Sequence, residues 1–115
     1  MGEVKFIHGD EVRAGWSQHP ITYQMGNIGS EVSRALKWQE KGNLARSEKA
    51  VERALELCWF TVEANVDNHA RLTEILKARE EFLDYFWGGN QYGTEPARMQ
   101  RYYDGFVMME RLGGG

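Results

Sequence analysis

The sequence has little to staple it and little to interrupt it. It holds one cysteine, Cys58, and two prolines, Pro20 and Pro96. A lone thiol can form neither an internal disulfide nor a thiolate metal cluster, so the expected setting is reducing, with the cytoplasm as default. Few prolines leave long helices unbroken. No apolar run approaches the roughly 18 residues that a membrane span requires. No charged-then-apolar leader follows Met1. Positive charge is not in excess either: the formal net charge is −3, whereas a protein that grips nucleic acid through phosphates is usually basic.

Catalytic chemistry is equally sparse. His8, His19 and His69 fall near predicted helix ends or loops, and none has Glu three residues before it, as di-iron bundles require. No metal site or cofactor is expected. Glu81-Phe-Leu-Asp84 has the shape of half a magnesium motif, but Glu48 and Glu52 are spaced by four and do not supply the other half, so a solvated face is the better reading. Met25-Gly-Asn-Ile-Gly29 is rich in glycine but has neither a preceding strand nor a following Lys-Ser/Thr pair, which excludes a phosphate loop. Cys58 lies on an apolar helical stripe and reads as a core thiol. No catalytic residue is assigned.

What the sequence does contain is helical periodicity. Ile21, Met25, Ile28, Val32, Ala35 and Leu36 recur at steps of three and four after Pro20, with a rival start at Asn27 or Ser30. Gly26 and Gly29 inside this stretch weaken the helix but permit close packing. Gly42-Asn43 ends it. A second helix spans about 44–64 with Val51, Ala54, Leu55, Cys58 and Val62 inward, and Leu57, Trp59 and Phe60 adding apolar groups on other sides. A third, capped by Asp67 or Asn68, runs to Trp87 with Leu72, Ile75, Leu76, Phe82, Leu83 and Phe86 inward; Gly88-Gly89 stops it. A fourth, capped by Thr94 with Glu95 and Pro96 in its first turn, buries Met99, Tyr102, Tyr103, Phe106 and Met109. Short connections favour antiparallel neighbours. The expected fold is all-α: an antiparallel up-down four-helix bundle over 20–112, a short extended or strand-like arm over 1–19, and a flexible tail at 113–115.

Three surfaces invite function. Arg34, Lys37 and Lys41, with Arg46, Lys49 and Arg53, flank the Gly42-Asn43 turn and read either as a solvated charged face or as a polyanion contact. Leu57, Trp59 and Phe60 suggest an oligomer interface, because a helix apolar nearly all round needs a second cover. Arg79 falls between Leu72, Ile75, Phe82 and Phe86, at about the level of Glu31 on a parallel helix. This predicts an Arg79–Glu31 ion pair, or an anion-binding arginine in a cleft, since an unpaired buried charge is very costly.

Asn27-Ile-Gly-Ser-Glu-Val-Ser-Arg-Ala-Leu36 resembles the opening of a family of uncharacterised bacterial and archaeal helical proteins. Arg53-Ala-Leu-Glu-Leu57, Arg79-Glu80, and Asp84-Tyr-Phe86 leading into Asn90-Gln-Tyr-Gly93 are similar to its later stretches. That resemblance implies a helical architecture and no particular activity. The chain more loosely resembles HEPN helical bundles, whose ribonuclease members carry Arg and, four to six residues on, His. Here Arg79 is followed by Tyr85 and Arg98 by Tyr103, without the histidine. The expectation is a non-enzymatic, self-associating interaction protein with a possible protein partner. The alternative is a HEPN-like module, RNA-acting or nucleotide-binding, partnered with a nucleotidyltransferase.

Overall fold

The structure, a computed structural model, describes residues 5–113. Among them all regular structure is helical: α1 Asp10–Gly15, a 3-10 turn Trp16–Gln18, α2 Ile21–Glu40, α3 Leu44–Ala64, α4 His69–Trp87 and α5 Pro96–Gly113. No helix among these residues is long and apolar enough to cross a membrane.

Local chemistry sets the helix ends. Gly42 adopts φ +77°, which glycine tolerates without a Cβ clash. Its N–H donates to the Gln39 carbonyl and that of Asn43 to the Trp38 carbonyl, closing α2 in a Schellman pattern. The side chains of Asn43 and Asn68 then accept from the backbone N–H groups of Arg46 and Arg71, starting α3 and α4. Thr94 does not cap α5 as expected. The helix begins at Pro96, and the buried Thr94 hydroxyl has no hydrogen-bond partner among the described residues. The Thr94 backbone N–H donates to the Asn90 side chain, and the first helical bond runs from the Met99 N–H to the Glu95 carbonyl, one residue past Thr94.

α2 and α3 form the central pair. Contacts Ala35–Ser47, Glu31–Arg53 and Gln24–Asn65 climb one helix while descending the other. α5 follows α4 in sequence, yet its main backbone contact is with α2. Gly29 makes this possible: a Cβ there would lie 2.4 Å from the Cβ of Tyr103, so only glycine admits α5 at this distance. α4 rests on α3 and turns only Ile75 and Phe82 fully inward.

The expected extended arm is corrected. Residues 5–9 have no regular structure, and 10–18 are helical; the part of the alternating stretch at Glu3 and Val4 lies outside the described residues. Gly113 belongs to α5, and 114–115 also lie outside them. The N-terminal segment is a lid on α3. Phe6 and Trp16 meet Phe60 edge-on at 5.5 and 6.2 Å between ring centroids. The Trp16 indole donates to the Thr61 hydroxyl, which donates onward to the Leu57 carbonyl.

Candidate interaction surface

That lid removes most of the expected oligomer interface. Leu57 and Phe60 are buried in the core, while Trp59 is 57% exposed. The apolar excess of α3 is satisfied within the chain, by Phe6 and Trp16. The arm carried a signal of this role in its own large apolar residues, which no helical period of its own could bury.

Two carboxylates hold the lid. Glu56 accepts from the backbone N–H groups of Ile7 and His8 and from the His8 ring, each at 2.8 Å. Burial pushes its carboxyl up, but those hydrogen bonds and the His8 charge outweigh it and hold the carboxyl below its ordinary range. Glu63 takes a two-pronged bond from Arg13 at 2.9 and 2.6 Å, and this hydrogen bonding lowers its carboxyl.

The expected Arg79–Glu31 pair does not form. Glu31, with only 8% of its side chain exposed, accepts from Arg34 at 2.5 Å and Arg53 at 2.8 Å. Arg79 is exposed and has no ion pair with Glu31. The physical reason lies in α4 itself, which carries two apolar stripes. Ile75 and Phe82 face the core, and Leu76, Leu83 and Trp87 line a groove beside them together with Arg79. Averaging both stripes placed Arg79 in the middle of one.

The six hairpin cations are divided. Arg34 and Arg53 serve Glu31. Lys41 and Arg46 lie over the Trp38 ring at 5.2 and 4.6 Å, a cation–π arrangement. Lys37 lines a small polar cleft with Arg34, Gln100 and Asp104, and Lys49 is exposed. The Asp104 carboxylate sits among these cations. The result is a mixed-sign surface in place of a single cationic stripe.

Neither Arg–Tyr spacing converges on a site. The Tyr85 hydroxyl donates to Gln39 on α2, whereas Arg79 is exposed. Tyr103 is buried under Gly29, and burial raises its phenol well above the ordinary value, while Arg98 reaches Glu81 at 3.2 Å. Asp84 is occupied by backbone: it accepts from the N–H groups of Gln91 and Tyr92 and so organises the α4–α5 turn. The Cys58 thiol is buried and pushed up to about 12. Among the described residues no three His, Cys, Asp or Glu side chains converge as metal ligands.

Two surfaces remain open. Between α4 and α5 runs a groove of about 550 Å³ lined by Glu74, Lys77, Ala78, Glu81, Arg98, Arg101 and Tyr102. On the far side of α4, Leu76 is 41% and Trp87 50% exposed, with Leu83 half-buried beside them. Sequence reasoning placed both Leu76 and Leu83 in the core; Leu83 is half-buried and packs against it, whereas Leu76 is exposed. No family model, no curated protein and no solved structure matches the chain.

Proposed function

We propose that the chain is a non-enzymatic interaction protein that associates with itself, built as an up-and-down antiparallel four-helix bundle and working in a reducing, cytoplasmic setting. The outward face of α4 carries this reading. α4 docks on α3 through Ile75 and Phe82, and that leaves Leu76 and Trp87 exposed beside Leu83, which is half-buried against the core. Single exposed apolar residues are ordinary, but several aligned on one helix face characterise an interaction surface. The buried, weakly acidic Cys58 suits a setting in which no disulfide is needed.

Sedimentation velocity on the full chain tests the reading. The sedimentation coefficient is expected to rise with concentration from low to high micromolar, and Trp87→Glu is expected to suppress that rise. A wild-type protein that stays monomeric throughout rejects self-association.

A further inference from the structure

α4 and α5 are consecutive but lean on different neighbours, α4 on α3 and α5 on α2. The groove left between them has a volume of about 550 Å³, within the range of roughly 300–1,000 Å³ in which small molecules are held. It shares no residue with the groove beside Trp87. Its charges are matched at both ends and unmatched in the middle. At one end Arg98 of α5 reaches Glu81 of α4 at 3.2 Å. At the other, the Tyr102 phenol lies beside Glu74; burial first and then that carboxylate push the phenol up, so it stays protonated. Lys77 of α4 and Arg101 of α5 fall between those two contacts in sequence. They line the groove from different helices, and neither makes an ion pair among the described residues.

We infer that this groove binds a small aromatic phosphate monoester, with the phosphate between Lys77 and Arg101 and the ring against Tyr102 and Ala78. Three cations and two carboxylates line the groove, which leaves one positive charge in excess. Both carboxylates have a neighbour already, so the charge still to be answered is that of Lys77 and Arg101. They stand on two helices, and one anion placed between them answers both. A phosphate monoester carries a charge of about −1.5 to −2 at neutral pH and offers three strong acceptor oxygens. Arginine meets phosphate through a planar fork of donors and lysine as a point charge. The apolar part follows from the rest of the lining. Tyr102 is 37% exposed, and a second ring can stack on it or meet it edge-on at a centroid separation of roughly 4.5–7 Å. Ala78 has a short side chain and leaves room for that ring. Glu74 and Glu81 mark the ends of the site, seven residues of helix apart, or about 10 Å, the length of one ring carrying one phosphate.

Phenyl phosphate is the probe. Titrated into the isotope-labelled full chain, it is expected to shift the amide NMR signals of residues 74–81 and 98–102 saturably, at one site per chain. Inorganic phosphate has no ring to set against Tyr102 and is expected to bind about fivefold more weakly. Phenol carries no charge and is expected to bind more weakly still.

Lys77→Gln and Arg101→Gln are exposed substitutions, and each is checked by circular dichroism for an unchanged fold. Each is expected to weaken phenyl phosphate binding by about fivefold. Lys49→Gln removes an exposed cation from α3, away from the groove, and is expected to leave binding unchanged. The absence of saturable shifts at about 10 mM probe overturns the site. An equal loss in all three variants, or no loss in Lys77→Gln and Arg101→Gln, overturns the placing of the phosphate. Equal affinity for phenyl phosphate and inorganic phosphate overturns the aromatic part of the ligand. Each of these outcomes leaves self-association standing, because the groove beside Trp87 has none of these residues.

Discussion

At the scale of single residues, the informative contrast is between Glu31 and its two arginines. The carboxylate is held at 8% exposure, whereas Arg53 and Arg34 keep 31% and 57% of their side chains in solvent. Removing the acid leaves two arginines that can turn to water. Removing Arg53 leaves a buried carboxylate with one partner. Breaking a buried pair costs most when the stranded charge has no escape. Arg53→Met is therefore expected to destabilise the protein by about 2 kcal/mol and Glu31→Gln by about 1 kcal/mol, the latter modest because the arginines are solvent-screened. Urea titration of both variants measures the order; a larger loss for Glu31→Gln would contradict it. Part of this was legible in the sequence. The Tyr85–Gln39 bond sets α4 beside α2, and counting back along both puts Arg79 within about 3 Å of the height of Glu31. Height follows from loop lengths and helix rise. Rotation about the helix axis does not, because α4 offers two apolar stripes and only packing chooses which turns inward.

Among elements, the N-terminal segment depends on others for its shape, and it was the least legible. α1 has six residues and buries none of them, and isolated helices so short are unstable in water. Its position comes from Glu56, Glu63 and the Trp16–Thr61 bond, all of them contacts to α3 distant in sequence. The ends of α3 and α4, by contrast, fall where their asparagine caps place them, because capping is a matter of neighbouring residues.

The same contacts predict a pH response. The folded-state carboxyl of Glu56 titrates below its ordinary value of 4.5. A depressed carboxyl contributes stability that is present above the unfolded value and is lost as pH falls through the folded one. Glu63, also depressed, acts in the same direction. Acidification from pH 6 to below about 4 is thus expected to loosen the segment before the core melts. With Trp16 buried, its emission should shift to the red in this range. Glu56→Gln retains an acceptor but loses the charge, so it should bring part of the shift to neutral pH. An emission maximum unchanged down to global unfolding would count against this docking.

For the whole molecule, burial is uneven. α2 and α3 carry eight buried residues each, α4 and α5 two each. A protein opens locally where few apolar contacts must break, and such regions exchange their amide hydrogens fastest. In dilute solution α2 and α3 are expected to be the most protected and α4 markedly less so. The dimer proposed above makes this gradient depend on concentration. A second copy covering Leu76, Leu83 and Trp87 adds contacts to α4 alone, and anything that binds the closed form raises the free energy of opening by mass action. Hydrogen exchange measured at low and at high micromolar protein should therefore show protection in α4 rising by roughly tenfold when the dimer dominates, with α5 and the α2–α3 pair nearly unchanged. Protection rising instead around Trp59 and Val66 would place the contact at the far end of α3, and protection unchanged everywhere would leave the outward face of α4 as solvated surface.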